Sequence, residues 1–288
     1  MEQWSRRCAR RLFLKTMIRR CYPNGKRKAF NVTYDDGVLQ DVALVALLND
    51  YGIKGTFNLN SGLMEQEFAW THPCGMTVKR LSRDAVENLY DGHEVASHSL
   101  THPYMGSLTD SEILRQRGED KANLEHLFGR EVAGFALPFD DYNDTIADCA
   151  RKAGFLYSRI SEFSGNYNPW QNRYHWKCGF YHVEPGLRDY VAGFLETDEE
   201  LALCQIVGHS YDLDAEDLWG VTEDIFAAVS LREDVWLATH RQIVEYLMAM
   251  SRLECCNGHI VNRSDKVLWL ERNGVPVVLR PGESLKEE

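Results

Sequence analysis

Segments that read as strands alternate with segments that read as helices along most of this 288-residue chain. That alternation is the tightest constraint on its fold, because successive strands joined by helices run parallel and need both sheet faces covered. Phe30 to Tyr34 reads as the first strand and ends at Asp35-Asp36-Gly37. Val42, Leu44, Val45 and Leu48 then fall at helical spacing, and Gly52 stops the helix before a second strand, Gly55 to Asn60. A helix at Ser82 to Tyr90 leads into a third strand, Glu94 to His98. Thr109-Asp110-Ser111-Glu112 is a capping box, so a helix runs from 110 to an exit at Gly129. Val132 to Leu137, Phe155 to Ile160, Leu203 to His209 and Val235 to Thr239 supply strands four to seven. Helices at 144–152, 187–195, 222–231 and 240–252 lie between and after them, and 163–185 reads as a long aromatic loop. Seven such strands fit a barrel or an open doubly wound sheet.

The tail breaks the series. Val267 to Glu271, Asn273-Gly274 and Val275 to Leu279 spell a β-hairpin, expected as a small appendage over 253–288. The barrel is expected over 21–252, after a basic extension over 1–20. Residues 1–28 hold ten basic residues and one acid, leaving 22 basic and 42 acidic residues in 29–288, a charge of −20. A body that acidic repels phosphate backbones, so nucleic acid is not an expected partner. No apolar run is long enough to span a membrane, and the leader's Leu12-Phe13-Leu14 is too short for a secretion signal. The eight cysteines form no CxxC pair and are expected as reduced thiols in a cytoplasmic protein. The first 16 residues are expected to pack loosely, as an upstream extension or a misassigned start before Met17, unless Trp4 and Leu12 meet the barrel.

The chemistry-bearing residues cluster at strand ends. Asp35 and Asp36 follow strand one, His98 and His102 bracket the end of strand three, Pro138 and Phe139 follow strand four, and His209 ends strand six. In a β/α barrel the C-terminal strand ends form the face that carries active sites. Singly, an Asp-Asp-Gly is more often a turn and a lone His more often structural; two carboxylates and three imidazoles on one face tilt the balance. Two imidazoles and a carboxylate make a three-ligand set with open positions, suited to Zn²⁺ or a related divalent ion. The second carboxylate then serves as a base and His209 as an acid, which equips the face for metal-assisted hydrolysis.

At these residues the chain resembles the polysaccharide deacetylases, the NodB-homology domain of carbohydrate esterase family 4. Thr33-Tyr34-Asp35-Asp36-Gly37 is similar to that family's T-F-D-D-G motif, and His98-Ser99-Leu100-Thr101-His102-Pro103 matches its H-S/T-x-x-H-P motif. The resemblance implies a distorted (β/α) barrel and removal of an acyl group, typically acetyl, from an N-acetylated sugar. It implies Asp35 as catalytic base, Asp36, His98 and His102 as ligands of Zn²⁺ (or Co²⁺, Ni²⁺ or Mn²⁺), and His209 as catalytic acid. A departure stands at the third motif, where R-x-P-F/Y is replaced by Ala136-Leu137-Pro138-Phe139. The Arg that pairs with the base is missing there, so Asp35 is expected to be less firmly oriented unless another group replaces it. The Phe139 amide remains the expected oxyanion donor beside Pro138, and Trp176 is the expected substrate contact. His93 and Glu94 read as structural, His175 and His182 as surface residues, and His240 as a helix start. The expected substrate is an acylated sugar. The alternatives are a small amide or cyclic imide, or a carbohydrate-binding protein without turnover.

Overall fold

Side chains of the first long strand point alternately to two environments. Phe30, Val32 and Tyr34 join the main apolar cluster beneath the helices, whereas Asn31, Thr33 and Asp35 turn inward to polar partners on neighbouring strands. The computed structural model describes residues 18–64 and 69–287. Its strands up to the tail are Ile18–Cys21 (β1), Lys28–Asp35 (β2), Gly55–Leu59 (β3), Ala69–Thr71 (β4), Thr77–Lys79 (β5) and Glu94–Ser97 (β6). Gly134–Ala136 (β7), Tyr157–Phe163 (β8), Trp176–Cys178 (β9), Phe180–Tyr181 (β10), Ala202–His209 (β11) and Val235–Leu237 (β12) follow.

Nine of these form one parallel sheet in the order β10-β11-β2-β3-β6-β7-β8-β9, with β12 against the start of β2. The sheet curls into a distorted (β/α) barrel, and all seven expected strands are in it. The two extra strands, β9 and β10, lie inside the segment read as a loop. They are three and two residues long, too short for a two-residue periodicity to show in sequence.

Register places the site. His209 lies opposite Asp35 and Asp35 opposite Asn58 across β11, β2 and β3, and Ala136 lies opposite Arg159 across β7 and β8. Because side chains alternate, a one-residue slip in any ladder would turn these groups away from the interior. Below the site the barrel interior is polar and largely paired, although both ring nitrogens of the buried His240 have no hydrogen-bond partner among the described residues. Glu94 accepts from Tyr157 and Thr56 at 2.8 and 3.0 Å, and Gln205 donates to Asn31 at 2.8 Å.

The capping box at Thr109 is present and Gly129 ends that helix in the left-handed region. In the tail, Leu253–Cys256 (β13), His259–Asn262 (β14), Leu268–Arg272 (β15), Val275–Leu279 (β16) and Ser284–Lys286 (β17) make two small sheets. One contains the expected hairpin, β15–β16, turned at Asn273 and Gly274 with φ of 53° and 84°. Its third strand is β1. Residues 18–20, read as part of the basic extension, therefore belong to this sheet. Basic residues of the leader pair with the acidic body: Arg20 with Glu200, Arg27 with Glu271 and Lys28 with Asp234. Trp4, Leu12 and the loose packing expected for 1–16 lie outside the described residues. Among the described residues six cysteines are free thiols, but Cys255 is disulfide-bonded, which corrects the expectation of reduced thiols throughout; no helix among them is long and apolar enough to cross a membrane.

Candidate active site and metal centre

Asp35, Asp36, His98, His102 and His209 come together at the C-terminal strand ends. Donor atoms of Asp36, His98 and His102 lie within 4.8 Å of one another. His98 Nδ1 donates to the Ala136 carbonyl at 2.9 Å, which fixes the tautomer and leaves Nε2 as a bare lone pair facing His102 Nε2 at 3.0 Å. Two such nitrogens facing each other beside a carboxylate fit a divalent cation by donor chemistry alone. Burial lowers the pKa of His98 against the pull of Asp35 and Asp36, and burial with the adjacent His98 lowers that of His102 to about 4. Both imidazoles are therefore neutral, as ligation requires.

Asp36 is the charged member of that set. Burial pushes its carboxyl up, but Arg80, then His209, His98 and His102, outweigh that and hold it well below the usual carboxylate range. Arg80 donates to Asp36 Oδ1 at 3.0 Å and to its carbonyl at 2.5 Å. Backbone strain gathers here too. Of the ten non-glycine residues with positive φ among those described, Asp36, Ser99, His102, Phe139 and Asp140 ring the site, a distribution expected where function over-determines geometry.

The missing cation is restored from the next strand. Arg159, fully buried, donates to Asp35 Oδ1, and its cross-strand partner is Ala136, the position where an Arg was expected. Asn58 donates to the same oxygen at 2.8 Å. Another group therefore does replace the missing Arg, and Asp35 is firmly held: Oδ1 takes both donors, and Oδ2 faces His98 Nε2 at 4.0 Å.

His209 is held from behind. Its Nδ1 lies 2.8 Å from Tyr181 Oη and 3.3 Å from Asp212 Oδ2, so Nε2 points to the cluster, 3.9 Å from Asp36 Oδ2. Burial opposes protonation, but the Asp212 hydrogen bond and the charges of Asp36 and Asp35 raise the His209 pKa. Asp212 is itself held below the usual carboxylate range, burial being outweighed by His182 and His209.

Several sequence readings change. His182 is not a surface residue; it is 3% exposed and bonds Asp212 at 3.1 Å. Trp176, the expected substrate contact, is 2% exposed, donates to Gln205 at 2.9 Å and packs against His240 in the lower barrel. Its alternation on β9 turns it into the core and away from the mouth. Pro138 is buried, and Phe139 is 51% exposed with its ring edge-on to His102 at 4.5 Å. His240 does begin a helix, capped by Thr239, and His93 accepts from the Gly55 amide at 3.0 Å in a structural role. Sequence reasoning missed Arg159, Asp212, Tyr181, Arg80 and Asn58. A charged residue between inward-facing positions of a buried strand was the available signal for Arg159, and the His-x-x-Asp spacing was that for Asp212.

Residues 23–158 match the family model described as polysaccharide deacetylase. An uncharacterized protein of Bacillus subtilis (strain 168), YlxY, is 25% identical over 120 residues, covering 42% of this chain and 33% of that protein. The chain therefore spans a third of the length of this curated relative. Among solved structures, a provisionally named polysaccharide deacetylase from Mycobacterium smegmatis superposes with a TM-score of 0.58 at 15% identity, covering 81% of this chain and 94% of the other. The Xyl-CE4 domain of a multidomain xylanase from the hindgut metagenome of Trinervitermes trinervoides gives 0.52 at 16% identity, covering 78% and 92%. At these identities the two structures speak to the fold.

Proposed function

The chain carries a polysaccharide deacetylase domain of the NodB-homology type, and from that premise we propose that it is a metal-dependent hydrolase that removes an acyl group, acetyl foremost, from an N-acylated carbohydrate. Asp36, His98 and His102 would hold a divalent ion, Zn²⁺ or one of Co²⁺, Ni²⁺ and Mn²⁺. When bound, the ion supplies Lewis-acid polarisation of the acyl group.

The remaining chemistry belongs to the chain. Arg159 and Asn58 occupy Asp35 Oδ1, so Oδ2 is the oxygen left to take a proton from the attacking water. As the water oxygen bonds to the acyl carbon, negative charge grows on the acyl oxygen, and the Phe139 N–H is the backbone donor assigned to it. The C–N bond then breaks. The proton on His209 Nε2 goes to the leaving nitrogen, which departs as a neutral amine, and the carboxylic acid is the second product. A raised His209 pKa keeps that proton in place near neutrality.

The observation that carries this reading is the pairing of two buttressed groups across the donor set. One is a carboxylate locked by a buried guanidinium; the other is an imidazole backed by Asp212. A protein that only bound saccharide needs neither, which favours turnover over a binding role. The test is metal analysis of purified protein with an acetate-release screen over chito-oligosaccharides, monomeric N-acetyl sugars and simple cyclic amides. Activity that survives chelation sinks the reading, and release from cyclic amides alone moves it to the small-amide alternative.

A further inference from the structure

Beneath the base, the barrel buries polar atoms that the protein itself does not pair. Arg159 Nε, Asn58 Oδ1 and both ring nitrogens of His240 have no hydrogen-bond partner among the described residues. All three side chains are fully buried. A buried polar atom left unpaired carries its whole desolvation penalty, so four of them in one region call for a partner.

The neighbouring contacts bring the three side chains together. Arg159 and Asn58 meet on the same oxygen, Asp35 Oδ1. The Asn58 amide nitrogen faces acceptors on Thr33, Tyr34 and Asp35, which fixes the other limb of that amide as the oxygen. His240 lies one layer lower. Its ring packs on Tyr157 with centroids 3.9 Å apart and meets Trp176 edge-on at 4.9 Å. Tyr157 stands two residues before Arg159 on the same face of β8, and Trp176 is the register partner of Arg159 on β9. The His240 amide donates to Thr56, two residues before Asn58 on β3.

These atoms complement water. Burial, and then the charge of Arg159, hold the His240 pKa well below its ordinary value, so the ring is neutral, with one N–H and one lone pair. With Arg159 Nε–H that makes two donors, and with Asn58 Oδ1 it makes two acceptors. A water molecule offers two of each, and buried waters commonly make about three bonds to such groups. Arg159 needs the support, because away from Asp35 its Nη1 reaches only Ser161 Oγ, at 3.4 Å.

We propose that His240 is a positioning residue for Asp35: with Arg159 Nε and Asn58 Oδ1 it holds buried water beneath the guanidinium, and that water keeps the guanidinium aimed at Asp35 Oδ1. The inference rests on the deacylase reading and adds to it a residue outside the donor set.

The experiment compares metal-loaded wild type with His240→Phe and His240→Gln. Phe keeps a ring between Tyr157 and Trp176 and removes both nitrogens, whereas Gln keeps a donor and an acceptor. A crystal structure of the wild type should show water within about 3.2 Å of a His240 ring nitrogen and of Arg159 Nε. His240→Phe should lower the denaturation midpoint. With metal content unchanged, it should reduce kcat for acetate release about 10- to 100-fold while KM stays near wild type, and His240→Gln should fall between the two. If the nitrogens were simply unpaired, removing them would relieve a penalty. An equal or higher midpoint in His240→Phe, or a kcat near wild type, therefore overturns the proposal. So does a crystal structure without water at these atoms, or a kcat for His240→Gln no better than for His240→Phe. If wild type releases no acetate, the deacylase reading falls; water at His240 and a lowered midpoint in His240→Phe would then sustain the water-held guanidinium by themselves.

Discussion

Among the described residues, replacing Arg159 with Ala removes the only cation that touches Asp35 Oδ1 and leaves Asn58 as its one remaining donor. Both partners are dry, with side-chain exposures of 0% and 4%. Breaking such a pair from one side strands a buried charge, at a cost of about 3–5 kcal/mol. That is a large share of the roughly 5–15 kcal/mol by which domains are stable, so chemical denaturation should show a lower midpoint with the slope unchanged. Activity should fall further than stability explains, since a carboxylate displaced by about 1 Å loses on the order of 100-fold in rate. Residues 136 and 159 are direct partners on neighbouring parallel strands, which lie about 4.8 Å apart. The double variant Arg159→Ala with Ala136→Arg should therefore regain much of both losses by returning the guanidinium from the neighbouring strand. The reasoning is refuted if folded Arg159→Ala keeps kcat/KM within twofold of wild type.

Two further variants follow from the geometry. Asp212→Asn withdraws the carboxylate that raises the His209 pKa; protonated His209 is then lost at lower pH, so the alkaline limb of the pH–kcat/KM profile should move to lower pH, and an unmoved limb would remove Asp212 from the acid's machinery. The folded-state pKa of Asp212 is itself depressed, so the stability it provides is present above the ordinary carboxylate range and lost as pH falls through the folded value; acid denaturation of Asp212→Asn should accordingly be less steep than that of wild type. Gly62→Ala would set a Cβ 2.6 Å from the Leu100 carbonyl, inside the segment that joins His98 to His102. It should cost about 1–3 kcal/mol in thermal denaturation and weaken metal binding, and wild-type values for both would show that the segment yields freely.

The long strands were legible as largely apolar runs of five to eight positions, with a polar–apolar alternation added along β2, and the helices between them by their own apolar spacing. The residues proposed as metal donors and base were legible because they sit in two short contiguous motifs. The supports of those groups were not. Arg159 reaches Asp35 from 124 residues away in sequence, and only strand register brings them together. Asp212 is close to His209 in sequence, yet its role depends on His182 and Tyr181 arriving on a strand too short to recognise. Trp176 illustrates the opposite error: an aromatic in a functional-looking segment was read as a substrate contact, whereas its place on β9 turns it into the core.

The central claim is that Asp35 acts as the base and not as a metal ligand, while Asp36, His98 and His102 bind the ion. Acetate release by Asp35→Asn, measured on protein whose metal content is determined in the same sample, tests it directly. The account predicts metal bound at the wild-type level with the rate reduced about 10²–10⁴-fold. Loss of the metal in Asp35→Asn, or release that continues near the wild-type rate, would contradict it.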